Sequence, residues 1–308
     1  MIDNVLDIKQ LQTYDNFELL AKQVVEGFLT GLHRSPYHGF SVEFAEHRIY
    51  NPGDSTKYID WKLYARTEKL FVKKYEEETN LCCYIVIDSS PSMLYPVQDP
   101  LGSKLAFSLY CSAALIYLLR KQRDAVGLSF FSDTVEMMTS AKLSVVHANM
   151  LYASLAEALL RKHDKNVKKL SNTAKCLHSI AETIHRRSLV IIFSDMFENE
   201  NTDELFSALQ HLRYNKHEVL LFHTIDRKSE ENFEFPNRPY KFIDMETGDF
   251  LKINPNFVRE TYSKAIKEYF KEIKLRCSQY HIDFIEVNIH ESFNKVLETY
   301  LVKRNKLY

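Results

Sequence analysis

The chain has 308 residues, 45% of them hydrophobic and 26% charged, enough to bury one large core or two small ones. Forty Lys and Arg against forty-one Asp and Glu leave a net charge of -1, which excludes a global field that would draw in nucleic acid or anionic lipid. No apolar stretch is long enough to span a bilayer, and Met1-Ile2-Asp3-Asn4 lacks the basic and apolar regions of a secretory signal, so a cytoplasmic protein without a membrane span is expected. The cysteines, Cys82, Cys83, Cys111, Cys176 and Cys277, are odd in number and lie mostly in apolar periodic segments. They read as reduced core residues, not as a disulfide framework or a zinc site.

In chain order, residues 17–32 carry helical periodicity and 39–44 alternate like a strand. A turn follows at Pro52-Gly53-Asp54, then Ile59-Asp60-Trp61-Lys62 and Ala65-Arg66. Trp61, the only tryptophan, reads as a packing anchor, with Asp54 or Asp60 pairing with Arg66 to fix residues 1–80 as a mixed α/β extension on the domain that follows. From 81 to 308, strand and helix patterns alternate. Cys82-Cys83-Tyr84-Ile85-Val86-Ile87 is a strand buried on both faces, and 104–123 is a helix apolar nearly all round, hence central. A strand at 125–131, an antiparallel edge at 135–138 and a helix at 150–160 come next. Then follow a helix beginning at Thr173, a strand at 189–193, a helix at 203–212 and a strand at 219–225. Residues 229–239 read as a surface loop within an insertion near 229–255, where 240–253 is a hairpin turning at Thr247-Gly248-Asp249. A long helix at 257–280 and a strand at 282–287 complete the pattern. Repeated βα units imply an α/β fold with a doubly wound, mostly parallel sheet of Rossmann type.

The first buried strand delivers Asp88-Ser89-Ser90-Pro91-Ser92 to its carboxyl end, where open α/β sheets bind ligands. Asp88, Ser90 and Ser92 offer one carboxylate and two hydroxyls, hard donors suited to Mg2+, Mn2+ or Ca2+ and poorly suited to zinc. Leu189-Val190-Ile191-Ile192-Phe193-Ser194-Asp195 brings a second carboxylate to a strand end, and Thr173 opens the helix between. The plainer reading of each piece alone is an N-cap or a turn. The combined setting resembles the metal-ion-dependent adhesion site of von Willebrand factor A domains. That resemblance implies ion contacts through the hydroxyls of Ser90, Ser92 and Thr173, with Asp88 and Asp195 holding the ion directly or through water.

Tyr50-Asn51-Pro52-Gly53-Asp54, Ile59-Asp60-Trp61 and Ala65-Arg66, leading into Asp88-x-Ser90-x-Ser92 and closing on Tyr300-Leu301-Val302-Lys303-Arg304, resemble the bacterial and archaeal "domain of unknown function 58" family along the whole chain. This similarity implies a partnership with a MoxR-type AAA+ ATPase and its client proteins, as an adaptor or co-chaperone in protein assembly or remodelling. The alternative function is a metal-dependent phosphoesterase using the same ion as Lewis acid.

Other enzyme classes lack required atoms. A haloacid-dehalogenase-type phosphatase needs a second aspartate where Ser90 stands. Gly102-Ser103-Lys104 lacks the upstream glycine of a phosphate-binding loop, Val97 standing in its place, and no G-x-S-x-G elbow occurs. His178 with His185, and His211 with His217, have no accompanying ligand set and read as surface or satisfied histidines.

Overall fold

The computed structural model describes residues 17–32, 47–49, 61–73, 81–160, 172–196 and 202–307. Residues 1–29 group with 81–308 in one compact unit, and 30–80 make a second. The elements in order are α1 (Phe17–Leu32), β1 (His47–Ile49), α2 (Trp61–Thr67), β2 (Phe71–Lys73), β3 (Cys82–Asp88), α3 (Lys104–Lys121), β4 (Ala125–Phe131), β5 (Val135–Met138) and α4 (Val145–Leu160). They continue with α5 (Thr173–Thr183), β6 (Leu189–Ser194), α6 (Thr202–Tyr214), β7 (Glu218–Ile225), β8 (Tyr240–Ile243), β9 (Phe250–Ile253), α7 (Pro255–Gln279), β10 (Asp283–Asn288) and α8 (Asn294–Leu307).

Six strands form the central sheet in the order β10-β7-β6-β3-β4-β5, parallel throughout except for β5, which runs antiparallel on the edge. The protein is thus a mixed α/β fold with a largely parallel sheet. Its inner strands are continuous apolar runs because both faces are covered. One face, carrying Tyr84, Val86, Val190, Ile192, Val219 and Leu221, is buried under α5, α6 and α7. Residues of opposite parity, Ile85, Ile87, Ile191, Phe193, Leu220 and Phe222, are equally inaccessible. Helix α3 touches β3, β4 and β7 and is buried all round, as its sequence predicts. Phe17 of α1 stacks on its Tyr110, and Phe293, just ahead of α8, packs on its Phe107. Gly127 is obligatory here, since a Cβ would lie 2.8 Å from the Tyr84 ring and 2.9 Å from the Thr139 carbonyl.

Strand β3 enters at the middle of the sheet, β4 lies on one side and β6 on the other. That order puts a topological switch point between the carboxyl ends of β3 and β6, which is where ligand crevices form in open parallel sheets. The expected hairpin is present as β8 and β9, with Gly248 at φ +77° in its turn.

Three expectations are corrected. Helix α4 starts at Val145, not at 150, because the Ser144 hydroxyl accepts from His147 N at 3.1 Å and caps it; the exposed Val145 and Val146 had obscured the amphipathic signal. The 229–239 segment does not begin as a surface loop: Arg227–Glu231 forms a π-helical turn in which Ser229 is buried. Trp61 is 61% exposed and touches Tyr64 edge-on, so it is not a buried anchor. Trp61→Ala is accordingly expected to change unfolding free energy by less than about 0.5 kcal/mol, measured by denaturant titration. A loss of 3 kcal/mol would contradict that. Asp54, Asp60 and the 39–44 strand lie outside the described residues.

Candidate functional site

The site is assembled at the carboxyl ends of β3 and β6. Asp88 closes β3 and is 2% exposed. Ser89 ties the turn to β4, its amide and hydroxyl both donating to the Phe131 carbonyl at 2.7 and 2.8 Å. Ser90 N donates back to Asp88 Oδ1 at 2.9 Å, and a 3-10 turn over Pro91–Leu94 brings Ser92 Oγ to 3.0 Å from Ser90 Oγ. On the neighbouring strand, the Ser194 hydroxyl donates to Asp88 Oδ2 at 2.7 Å and accepts from Met196 N at 3.0 Å. Asp88, Ser90 and Ser92 are therefore brought together, and Asp195, next after Ser194, is near enough for its charge to act on Asp88.

Thr173 is buried in the first turn of α5. Asn172, not Thr173, is the N-cap, accepting from Lys175 N at 3.1 Å. That turn is bound to the end of β4 through Asn172 N donating to the Ser132 carbonyl at 3.4 Å.

The electrostatics of the two carboxylates differ. Burial, and then the charge of Asp195, push Asp88 up to about 7 against the hydrogen bonds from Ser194 and Ser90. Asp195, 1% exposed, has a cation of its own: Lys104 Nζ lies 2.7 Å from Asp195 Oδ2 and 2.5 Å from Glu230 Oε1. Burial opposes the charge on Lys104, yet the two carboxylates outweigh it and raise its pKa. Behind Asp195, His223 Nε2 donates to the Asp195 carbonyl at 2.8 Å. Met196, immediately after, is held at φ +50° with its carbonyl accepting from the Tyr269 hydroxyl at 2.6 Å, a strained backbone next to the site carboxylate. Among the described residues no group of three or more His, Cys, Asp or Glu is placed to hold a metal ion. The donors here are two carboxylates and hydroxyls.

Residues 46–272 match the family described as Protein of unknown function DUF58. The chain belongs to the DUF58 family. It is 23% identical over 225 residues to the uncharacterized proteins Rv1480 of Mycobacterium tuberculosis and Mb1516 of Mycobacterium bovis, covering 73% of this chain and 68% of each relative. Among solved structures it is similar to a conserved hypothetical protein, BatB, from Bacteroides thetaiotaomicron (13% identity, TM-score 0.45) and to an aerotolerance-related membrane protein from Bacteroides fragilis (16%, TM-score 0.45). Each similarity covers 73% of this chain and 99% of the other. No helix among the described residues of the DUF58 chain is long and apolar enough to cross a membrane.

Two site residues of this DUF58 protein escape the sequence reading. Lys104 reads there only as part of a failed phosphate loop, and Glu230 falls in the expected surface loop. A signal for Lys104 does exist. It is a charged side chain in the first turn of a helix apolar on every face, and a buried ammonium in that position needs a carboxylate partner.

Proposed function

We propose that this DUF58 protein is a divalent-metal-dependent protein-interaction module built on a von Willebrand factor A-like domain. In this reading it serves in the cytoplasm as an adaptor or co-chaperone between a MoxR-type AAA+ ATPase and client proteins. The observation that carries the metal reading is Asp88, a carboxylate buried beside Asp195 and raised to about 7 by burial and then by the charge of Asp195, with the hydroxyls of Ser90 and Ser92 next to it. A cation would offset that neighbouring charge, and oxygen donors of this kind suit Mg2+, Mn2+ or Ca2+. The 3.0 Å between the two hydroxyl oxygens is a hydrogen bond that an ion held by both would replace.

Ser90 and Ser92 would hold the ion with Thr173 contributing its hydroxyl, and Asp88 and Asp195 would bind directly or through water. When bound, the ion supplies a positive centre for a partner's carboxylate. The von Willebrand assignment draws support from the strand order and the position of the crevice, and the ATPase partner from the family resemblance.

The deciding measurement is calorimetric titration with magnesium, and then of the host's MoxR-type ATPase with and without chelator, for the wild type and for Ser90→Ala with Ser92→Ala. Magnesium is expected to strengthen partner binding in the wild type only, because removing neutral hydroxyls takes away ligands without stranding a buried charge. Equal affinity in all four conditions rejects the metal-bridged adaptor. Metal-dependent hydrolysis of an aryl phosphate, lost in Asp88→Asn, would select the phosphoesterase.

A further inference from the structure

We propose that Lys104 is a positioning residue for this site: its ammonium, divided between Asp195 and Glu230, sets how much of the Asp195 charge reaches the ion. The inference rests on the metal-binding reading above. An ion pair that merely anchored α3 would need one carboxylate. Among the described residues Lys104 has two, and one of them is a site residue.

The geometry gives each partner a separate task. Lys104 is 1% exposed, so its ammonium has left water and depends on Asp195 Oδ2 at 2.7 Å and Glu230 Oε1 at 2.5 Å. Glu230 is itself held fast, since its Oε2 accepts from Asp226 N at 2.7 Å. Asp226 is fixed in turn by the Ser229 hydroxyl, which donates to Oδ2 at 2.7 Å, and by His290 Nε2 at 3.3 Å from Oδ1. The arm from the end of β7 to α3 is therefore braced by its own hydrogen bonds, and Asp195 is the partner whose hold on Lys104 an arriving ion would change.

Among the described residues, the carboxylates of Asp195 and Glu230 both bear on the one ammonium of Lys104. Removing Glu230's charge gives Lys104 wholly to Asp195 and withdraws that carboxylate from the ion. Removing Lys104's charge returns Asp195 to the ion. The two substitutions must act in opposite directions, whereas structural damage weakens binding in both.

Magnesium titration calorimetry on the full chain, at one pH and ionic strength, tests this. Glu230→Gln is expected to weaken magnesium binding about tenfold and Lys104→Gln to tighten it about tenfold, because the Asp195 charge withdrawn from or returned to a divalent ion a few ångströms away is worth at least that at the effective dielectric of a protein site. In an Asp195→Asn background both effects should shrink below about threefold, because each acts through Asp195. Circular dichroism and the metal-free thermal midpoint report folding. If Lys104→Gln does not fold, Glu230→Gln alone and with Asp195→Asn carries the same test. A wild type that binds magnesium, with variants unchanged, shifted in the same direction or undiminished by Asp195→Asn, overturns this inference alone. A wild type that takes up no magnesium overturns the metal-binding reading and this inference with it.

Discussion

Metal-free protein is expected to lose about 1.4 kcal/mol of stability per pH unit between pH 6.5 and 4, and Asp88→Asn to double that slope. Three groups with large shifts set the figure, the raised Glu230 and the lowered Glu218 acting in opposite senses. His223 is fully buried and His217 inaccessible, and burial is the main cause that lowers each to about 4. Each is protonated in the unfolded chain below about 6.5 and neutral in the folded one down to about 4, so the unfolded state binds two extra protons in this window. Their contribution is complete above pH 6.5 and lost as the pH falls through 4.

Asp88 has the opposite sign. With its folded value raised to about 7 from 3.8, it is protonated in the folded state across the same window and ionised in the unfolded state. Its burial penalty is largest above pH 7 and is relieved as the pH falls. Two protons less one leaves a net one, which is about 1.4 kcal/mol per unit, and removing the Asp88 proton leaves two, about 2.7 kcal/mol per unit. The same substitution should raise metal-free stability at pH 8, where it removes a buried charge. Urea titrations at half-unit intervals from pH 4 to 8 measure both slopes. A wild-type profile flat below 6.5, or an Asp88→Asn slope no steeper than wild type, rejects the account.

The parallel strands were legible because burial on both faces writes an unbroken apolar run, as in 83–87 and 189–193, and each run ends where its carboxylate appears. For the same reason the placement of Asp88 and Asp195 at strand ends, though not the adjacency of those strands, follows from pattern alone. The Lys104–Glu230 contact does not, since it joins residues 126 positions apart through packing that no local period encodes. The histidines show the same limit. His178 and His211, paired in the sequence with His185 and His217, instead meet each other across α5 and α6, Nδ1 to Nδ1 at 3.0 Å. His217 is neither at the surface nor satisfied: its Nδ1 accepts from Ser188 N at 3.2 Å, but Nε2 is buried without a hydrogen-bond partner. Chain neighbours in a loop say little about which helix a ring will face.

Asp124→Ala is expected to destabilise the protein by about 3–5 kcal/mol, the range for breaking a buried ion pair by removing one partner. Asp124 is 2% exposed at the junction of α3 and β4, and its carboxylate gathers donors from two distant parts of the chain. Arg304 on α8 donates through Nε to Oδ2 at 2.8 Å and through an Nη to Oδ1 at 3.2 Å, a bidentate pairing. Leu81 N, at the entry to β3, donates to Oδ1 at 3.3 Å. The Tyr300 hydroxyl lies 3.5 Å from Oδ2 and donates to Gln122 Oε1 at 2.8 Å, with the ring fully buried. Alanine at 124 would take the bidentate acceptor from the guanidinium of Arg304, four-fifths out of water, and an acceptor from a backbone amide at the start of the central strand. The closing Tyr300 to Arg304 segment would then be a clasp for the sheet and not part of the metal site. This makes a second expectation: Asp124→Ala should leave magnesium affinity within about twofold of wild type under conditions where the variant is folded, since sites without shared partners behave independently. Combining it with Arg304→Ala should cost clearly less than the sum of the single changes, because both remove the same ion pair. A single-variant cost below 1 kcal/mol, or strict additivity in the pair, would show that the carboxylate is not what holds α8 to the sheet.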